Sequence, residues 1–295
     1  MVGAGPAARI CAIVVTFNRS ELLAECLTRL GAQTRPADEI LVVDNASTDG
    51  TAEMVAERFP EVTLLRLPEN VGGAGGFHAG MRDALARGHD WLWVMDDDTF
   101  TVPDTLEQLL AGGARAPGPA PMMLSSQVRW KDETLHPMNL PSPRWRDPEF
   151  MALGAAGGLV GLRNATFVSV ALHRDAIERY GLPLAHYFIW TDDVELTSRI
   201  MRAEPGYLVP ESRVYHWTPT AHPAAASSSG DRFYYHVRNS LLLLRGTSLA
   251  PMDRIDYARY YVKSLLAFLR ERGREPAALK LLARGLRDGL TGETR

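Results

Sequence analysis

Short apolar runs alternate along the amino-terminal part of the chain with segments whose apolar positions recur every three or four residues. Ile10 to Val15, Glu39 to Val43, Val62 to Leu67 and Trp91 to Met95 read as strands, while Arg19 to Leu30, Thr51 to Phe59 and Gly76 to Arg87 read as helices. Strand and helix in strict alternation, with short connections, predict an α/β fold whose parallel sheet carries helices on both faces. Ala111 to Pro121 is rich in Gly, Ala and Pro and reads as a loop. From Met122 to Gly161 the pattern is less regular, so a second, mixed half begins there. The chain thus divides into residues 1–110, residues 111–230 as a mixed half of the same domain, and residues 231–295 as carboxyl-terminal helices.

The predicted strand ends concentrate polar chemistry. Asp96, Asp97 and Asp98 follow directly on Trp91 to Met95, which puts a block of negative charge at a strand's carboxyl end, where open α/β sheets bind ligands. Carboxylates this close repel one another. A hard divalent cation, Mg2+ or Mn2+, suits them and would bridge to the phosphates of a ligand. The earlier strands end in Thr16-Phe17-Asn18-Arg19, in Asp44-Asn45-Ala46-Ser47-Thr48-Asp49-Gly50-Thr51, and in Asn70-Val71-Gly72-Gly73-Ala74-Gly75-Gly76-Phe77. All four ends line one edge of one crevice. Asp44 is placed to accept the imide N–H of a uracil or thymine ring, and Thr48 or Asp49 to cap the next helix; a plain turn with a helix cap is the competing reading. The four glycines Gly72, Gly73, Gly75 and Gly76 let backbone approach a ligand closely and present N–H groups before a helix, which suits an anion. The segment is not a GxGxxG fingerprint.

Composition narrows the class. The 295 residues are 46% hydrophobic and 23% charged, with a formal net charge of −3, as in an ordinary globular chain with ample core. The near-neutral balance gives no footprint for nucleic acid, and no apolar run reaches the length of a bilayer span. The short apolar run at Ile10 to Val15 does not make a signal peptide. Cys11 and Cys26, the two cysteines, read as buried reduced thiols, which predicts a cytoplasmic protein.

The ordered set Val-Val-Thr-Phe-Asn-Arg, Val-Val-Asp-Asn-Ala-Ser-Thr-Asp-Gly-Thr, Asn-Val-Gly-Gly-Ala-Gly-Gly-Phe and Trp-Val-Met-Asp-Asp-Asp resembles the family 2 glycosyltransferases of the GT-A fold. Within them it is most similar to bacterial galactofuranosyltransferases that build cell-wall galactan, with the rhamnosyltransferases next. The resemblance covers residues 9 to 245. It implies that Thr16 and Arg19 border a nucleotide and that Asp44 binds the base. Asp96 would face the ribose or metal-bound phosphates, Asp98 would be the metal ligand of a DXD-type motif, and Asp97 would support them. The donor would be a nucleoside-diphosphate sugar, UDP-galactofuranose before dTDP-rhamnose, and the acceptor a glycan or lipid-linked hydroxyl.

In the second half, Tyr187-Phe188-Ile189-Trp190-Thr191-Asp192-Asp193-Val194-Glu195-Leu196 leads into a helix predicted over Val194 to Arg202, whose amino end favours carboxylates. The resemblance makes Asp193 the base that takes a proton from the acceptor hydroxyl in an inverting transfer, with Asp192 beside it; the alternative is that the cluster only caps and charges a helix. His216, in Val214-Tyr215-His216-Trp217, matches a third metal ligand of the family, and imidazole suits Mn2+ better than Mg2+. A structural histidine is the alternative. His222, in the stretch Thr218 to Gly230, is a weaker metal candidate in a loop that reads as a lid or as plain surface. Trp190 and Trp217 suit contacts with sugar rings or a place in the core. Arg238 suits a phosphate or packing on the sheet. Apolar and basic positions from Arg254 to Leu290 predict two helices broken near Gly273 to Pro276, with faces either solvated or resting on a membrane at the inner side of the cell envelope. A nucleotidyltransferase lacks its expected basic signature here, since Ala4 to Arg9 offers only Arg9. A non-catalytic sugar-nucleotide or glycan-binding protein of the same fold is the remaining alternative, and the full set of acidic positions counts against it.

Overall fold

In the computed structural model, which describes residues 8–220 and 230–292, the apolar runs close into one sheet. In chain order the elements are β1 (Ile10–Thr16), α1 (Ser20–Gly31), β2 (Glu39–Asp44), α2 (Thr51–Arg58), β3 (Thr63–Arg66), α3 (Gly72–Ala86), β4 (Trp91–Asp96), β5 (Thr99–Thr101) and α4 (Thr105–Arg115). Then come β6 (Met123–Arg129), β7 (Ser142–Pro143), α5 (Pro148–Ala156), β8 (Val160–Asn164), β9 (Val170–His173), α6 (Arg174–Tyr180), α7 (Asp192–Met201), β10 (Gly206–His216), α8 (Phe233–Arg245), α9 (Pro251–Arg272) and α10 (Pro276–Thr291). The strand order is β3-β2-β1-β4-β9-β6-β10-β8-β7, with β5 paired to β10. Strands β1 to β4 run parallel, as the alternation predicts. Beyond them β9 runs antiparallel to both β4 and β6, and β10 returns parallel to β6. The second half is therefore mixed, but it continues the same sheet.

Both faces of β1, β2 and β4 are buried, which is why they read as apolar runs, while β3 at the sheet edge is only partly covered. Cys11, Ile13 and Val15 of β1 face Phe77 and Met81 of α3 in a cluster that also holds Leu196 and Ile200 of α7. Ile10, Ala12 and Val14 face the other way, toward Leu23 and Leu27 of α1, Val55 of α2 and Leu106 of α4. Each Val, Leu, Ile, Phe or Met among them contributes about 1.5–3 kcal/mol when fully buried. A smaller cluster of Phe233, Val237, Phe268, Ala278 and Leu282 joins α8, α9 and α10.

Two helix boundaries differ from the sequence expectation at glycines. Helix α3 opens at Gly72 rather than Gly76, and α4 runs to Arg115, so the loop expected from Ala111 begins only at residue 116. The glycines do not break these helices because they press the backbone onto the sheet. A Cβ at Gly76 would stand 2.5 Å from Val15 Cγ1 and 3.0 Å from Asn45 Nδ2, and one at Gly112 would stand 2.5 Å from Val209 Cγ1. Among the described residues, no helix is long and apolar enough to cross a membrane. His222 and most of its surrounding stretch lie outside the described residues.

Candidate active site

The sheet register assembles the crevice. Thr16 pairs with Asp44 across β1 and β2, and Val15 pairs with Asp96 across β1 and β4, so the ends of these three strands stand side by side. Strand β5 then turns back antiparallel to the end of β10, setting His216 opposite Thr99, and the Trp217 N–H donates to the Asp98 carbonyl at 2.8 Å. Residues far apart in sequence are thereby fixed next to the three aspartates.

The aspartates are not equivalent. Asp97 is enclosed: its carboxylate accepts from Thr16 Oγ1 at 2.8 Å and from Arg19 Nη1 at 3.0 Å. Burial pushes it up to about 6, against the pull of Arg19. Asp96 is pushed well above the usual carboxylate range by burial and by Asp98 and Asp97, with Asp192 adding to the repulsion. Burial would also raise Asp98, but interaction with His216 and then Arg19 outweighs it and holds the carboxyl below its ordinary value. Asp98 Oδ2 accepts from Arg19 Nη1 at 2.9 Å. Its Oδ1 is buried without a hydrogen-bond partner, 3.2 Å from His216 Nε2 but outside hydrogen-bond geometry.

That geometry fits a divalent cation. One ligand atom from each of Asp96, Asp98 and His216 falls within 4.8 Å of the others. The His216 ring is already oriented, because Nδ1 lies 2.8 Å from Asn139 Oδ1 while Asn139 Nδ2 donates to Thr166 Oγ1 at 2.8 Å. With Nδ1–H committed to Asn139, Nε2 keeps its lone pair for a metal. His136 lies against the His216 ring, 4.9 Å between centroids, and burial, its largest cause, lowers it to about 4, so it stays neutral. Sequence reasoning misses both Asn139 and His136. The Asn carries no spacing signal, and the His reads like any surface histidine.

On the nucleotide side the picture is more structural than expected. Asp44 is fully buried; Oδ1 accepts the Ser47 N–H at 2.9 Å, and Oδ2 has no hydrogen-bond partner, its nearest cation being Arg66 Nε at 3.5 Å. An unpaired buried carboxylate oxygen is available to a base N–H. Thr16 is nearly buried and braces Asp97, so it stands behind the crevice rather than at its border. The cap of α2 is Gly50, in left-handed conformation at φ 84°, while Asp49 accepts the Thr51 N–H from outside it at 3.2 Å. The glycine turn is partly spent: the Gly72 N–H goes to Asn70 Oδ1 at 2.8 Å and the Ala74 N–H to the Phe188 carbonyl at 3.1 Å. Gly72 has φ 73°, and a Cβ there would overlap the Phe188 carbonyl. Gly75 lies against Val71, Gly76 against Val15, and only Gly73 opens on free space. Asn45, to which the sequence assigns no role of its own, ties this turn down with Nδ2 on the Gly72 carbonyl at 3.0 Å.

The second acidic cluster sits in the first turn of α7, which opens at Asp192 rather than Val194. Asp193 Oδ1 accepts the Val194 N–H at 2.7 Å, and burial lifts the carboxyl to about 6 despite that bond. Asp192 is raised well above its usual range by burial and then by Asp193. Glu195 is structural, bonded to Arg199 at 2.8 Å and to Ser248. Trp190 and Trp217 are both partly exposed, at 38% and 39%. Arg238 is 1% exposed and donates to the carbonyls of His186 and Tyr187, so it serves packing and not the crevice.

A crevice at the carboxyl edge of a mixed α/β sheet, with paired aspartates on one strand end and a histidine returned to them by another, defines the GT-A class of fold. Solved structures agree on the fold: S. aureus TarS 1-349 in complex with UDP-GlcNAc superposes with TM-score 0.65 at 14% identity, over 96% of this chain and 81% of that one. Mannosyltransferase PcManGT from Pyrobaculum calidifontis, in complex with GDP-Man and Mn2+, gives TM-score 0.59 at 21% identity, over 98% and 83%. Residues 11–146 match the family described as Glycosyl transferase family 2, so the chain carries a domain of that family. Galactofuranosyltransferase GlfT1 of Mycolicibacterium smegmatis is 32% identical over 203 residues, 66% of each chain. The N-acetylglucosaminyl-diphospho-decaprenol L-rhamnosyltransferase of Mycobacterium tuberculosis is 27% identical over 238 residues, 69% of this chain and 74% of that one. The chain spans about two thirds, 65–66%, of the length of the galactofuranosyltransferases it matches.

Proposed function

We propose that the protein is a metal-assisted, inverting glycosyltransferase that moves a sugar from a nucleoside-diphosphate donor to an acceptor hydroxyl. The observation that carries this is the convergence of Asp96, Asp98 and His216 on one point, with Asp192 of the base-bearing turn close enough to raise Asp96. A divalent ion held by these three residues, Mn2+ before Mg2+, would neutralise charge on a departing diphosphate. Asp44 would take a base N–H with its unpaired Oδ2. Asp193 would hold the acceptor hydroxyl and take its proton. A carboxyl at about 6 is ionised at neutral pH yet basic enough for that role. Direct displacement by the activated hydroxyl needs no covalent intermediate on the enzyme.

UDP-galactofuranose is the favoured donor, supported by the galactofuranosyltransferase relatives at 32% identity, and dTDP-rhamnose is the alternative. Residues 1–110 would serve the donor, residues 111–230 the acceptor and the base, and the carboxyl-terminal helices would flank them. A lipid-linked acceptor at the inner face of the membrane is supported by the exposed apolar Ile255, Val262, Leu266 and Leu269 of α9, which lie among basic residues.

The test is calorimetric titration with UDP, dTDP and GDP, then with UDP-galactofuranose and dTDP-rhamnose, each with and without Mn2+, on the wild type and on Asp98→Ala. Metal-dependent binding of UDP and its sugar, lost in Asp98→Ala, is the expected result. Preference for the dTDP compounds selects the rhamnosyl reading, and nucleotide affinity indifferent to Mn2+ in both proteins refutes the metal assignment.

A further inference from the structure

The turn that delivers Asp193 is strained, and a buried pair on α8 holds it. Three of the four residues before α7 lie at positive φ without being glycine: Phe188 at 65°, Trp190 at 65° and Thr191 at 73°. Phe188 has ψ −61°, and the Ile189 N–H donates to the Tyr187 carbonyl at 2.7 Å, which closes a γ-turn of the rare strained hand. Residues held this way persist only where their surroundings over-determine them, and they cluster at functional sites.

Here the surroundings are specific. Asn239 Nδ2 lies 2.9 Å from each of the carbonyl oxygens of Tyr187, Ile189 and Trp190. Arg238 Nη2 donates to the carbonyls of His186 at 2.6 Å and Tyr187 at 3.0 Å, and its Nε–H donates to Asn239 Oδ1 at 3.0 Å. That last bond fixes which way the amide faces, with its NH2 on the turn. The Ala74 N–H of α3 donates to the remaining carbonyl, Phe188, at 3.1 Å. Every carbonyl from His186 to Trp190 is thereby held. Both α8 side chains are buried, at 0% and 1% exposure, so water cannot take their place.

We infer that Asn239 is a positioning residue for Asp193: its amide gathers the strained turn and so sets the entry of α7 and the aim of the carboxylate. The inference rests on the reading of Asp193 as the base. Aspartate in the same volume would turn oxygen lone pairs toward three carbonyl oxygens, and glutamine would have to fit an extra methylene into a site without free surface. Only an amide of this length supplies both the hydrogens for the turn and the acceptor for Arg238.

The experiment compares Asn239→Ala, Arg238→Lys and Asp193→Asn in the full chain, using UDP-galactofuranose with Mn2+. It reads kcat for UDP release, UDP affinity by calorimetry, and hydrogen exchange over residues 186–193. Asn239→Ala is expected to lose about 100-fold in kcat, the scale set by roughly an ångström of misplacement at a reacting group. UDP affinity stays at the wild-type value, and exchange rises over residues 186–193 but not in β1, β2 or β4. Wild-type kcat in a folded Asn239→Ala protein overturns the inference, as does a loss of kcat matched by an equal loss of UDP affinity. If Asn239→Ala does not fold, Arg238→Lys decides, since it keeps the cation and loses the planar fork; the same split between kcat and UDP affinity is expected, and wild-type kcat overturns the inference. Full turnover in Asp193→Asn overturns the base reading and this inference with it. An inactive Asp193→Asn beside a fully active Asn239→Ala overturns this inference alone.

Discussion

Replacing Asp193 with asparagine should stop transfer and, at the same time, make the protein more stable. Asparagine keeps the volume and can accept the Val194 N–H that Asp193 Oδ1 now accepts at 2.7 Å. What it removes is a carboxyl that burial raises from 3.8 to about 6. A folded-state value above the unfolded one means that the protonated form is favoured by folding. The stability it contributes is fully present below about pH 4 and is lost as pH rises through about 6. Each tenfold change in proton affinity is worth about 1.36 kcal/mol, so ionising this partly buried carboxyl costs at most about 2–3 kcal/mol by about pH 7.5. Because Asp193 also raises Asp192, its neutralisation relieves a second buried acid. Urea unfolding of both proteins at about pH 4 and about pH 7.5 measures the gap: near zero at the lower pH, in favour of the variant at the higher. In the wild type, kcat/KM should climb with pH and level off above about 6, as the base ionises. A stability difference that is absent at the higher pH, or equal at both, would show that the carboxyl is not buried as a strained acid, and the case for it as a tuned base would go with it.

The orientation of His216 gives a second prediction: Asn139→Ala should weaken Mn2+ binding about 10–100-fold, the usual loss when a metal-bound histidine loses its outer partner, and an Mn2+ titration followed by paramagnetic resonance reads it directly, unchanged affinity counting against His216 as a ligand. Packing gives a third. Gly76→Ala places a Cβ 2.5 Å from Val15 Cγ1 and should cost about 1–3 kcal/mol as overpacking, seen as a lower urea midpoint; a wild-type midpoint would mean that α3 is free to move away from the sheet.

Periodicity alone determined the amino-terminal elements, because β1, β2 and β4 are buried on both faces and each helix on one, and burial writes itself into consecutive residues. The acidic positions were legible for a similar reason. Three carboxylates at the end of an apolar strand have few physical explanations, and Asp96, Asp98 and His216 do converge. The resemblance in sequence carried the rest of the reading toward a family. Tertiary structure alone decided which residues support the site. Asn139 meets His216 because β6 pairs in parallel with β10 and the segment after β6 folds back at the end of β10, and no local pattern encodes that pairing. The glycines of α3 read as a ligand cradle, yet Gly76 is small because Val15 lies beneath it, a contact between elements that sequence spacing does not reveal. By residue type Arg238 suits a phosphate and packing equally, and its burial against the carbonyls of His186 and Tyr187 settles where its donors go. A side chain's hydrogen-bonding capacity is written in its identity, but its partner is set by the fold.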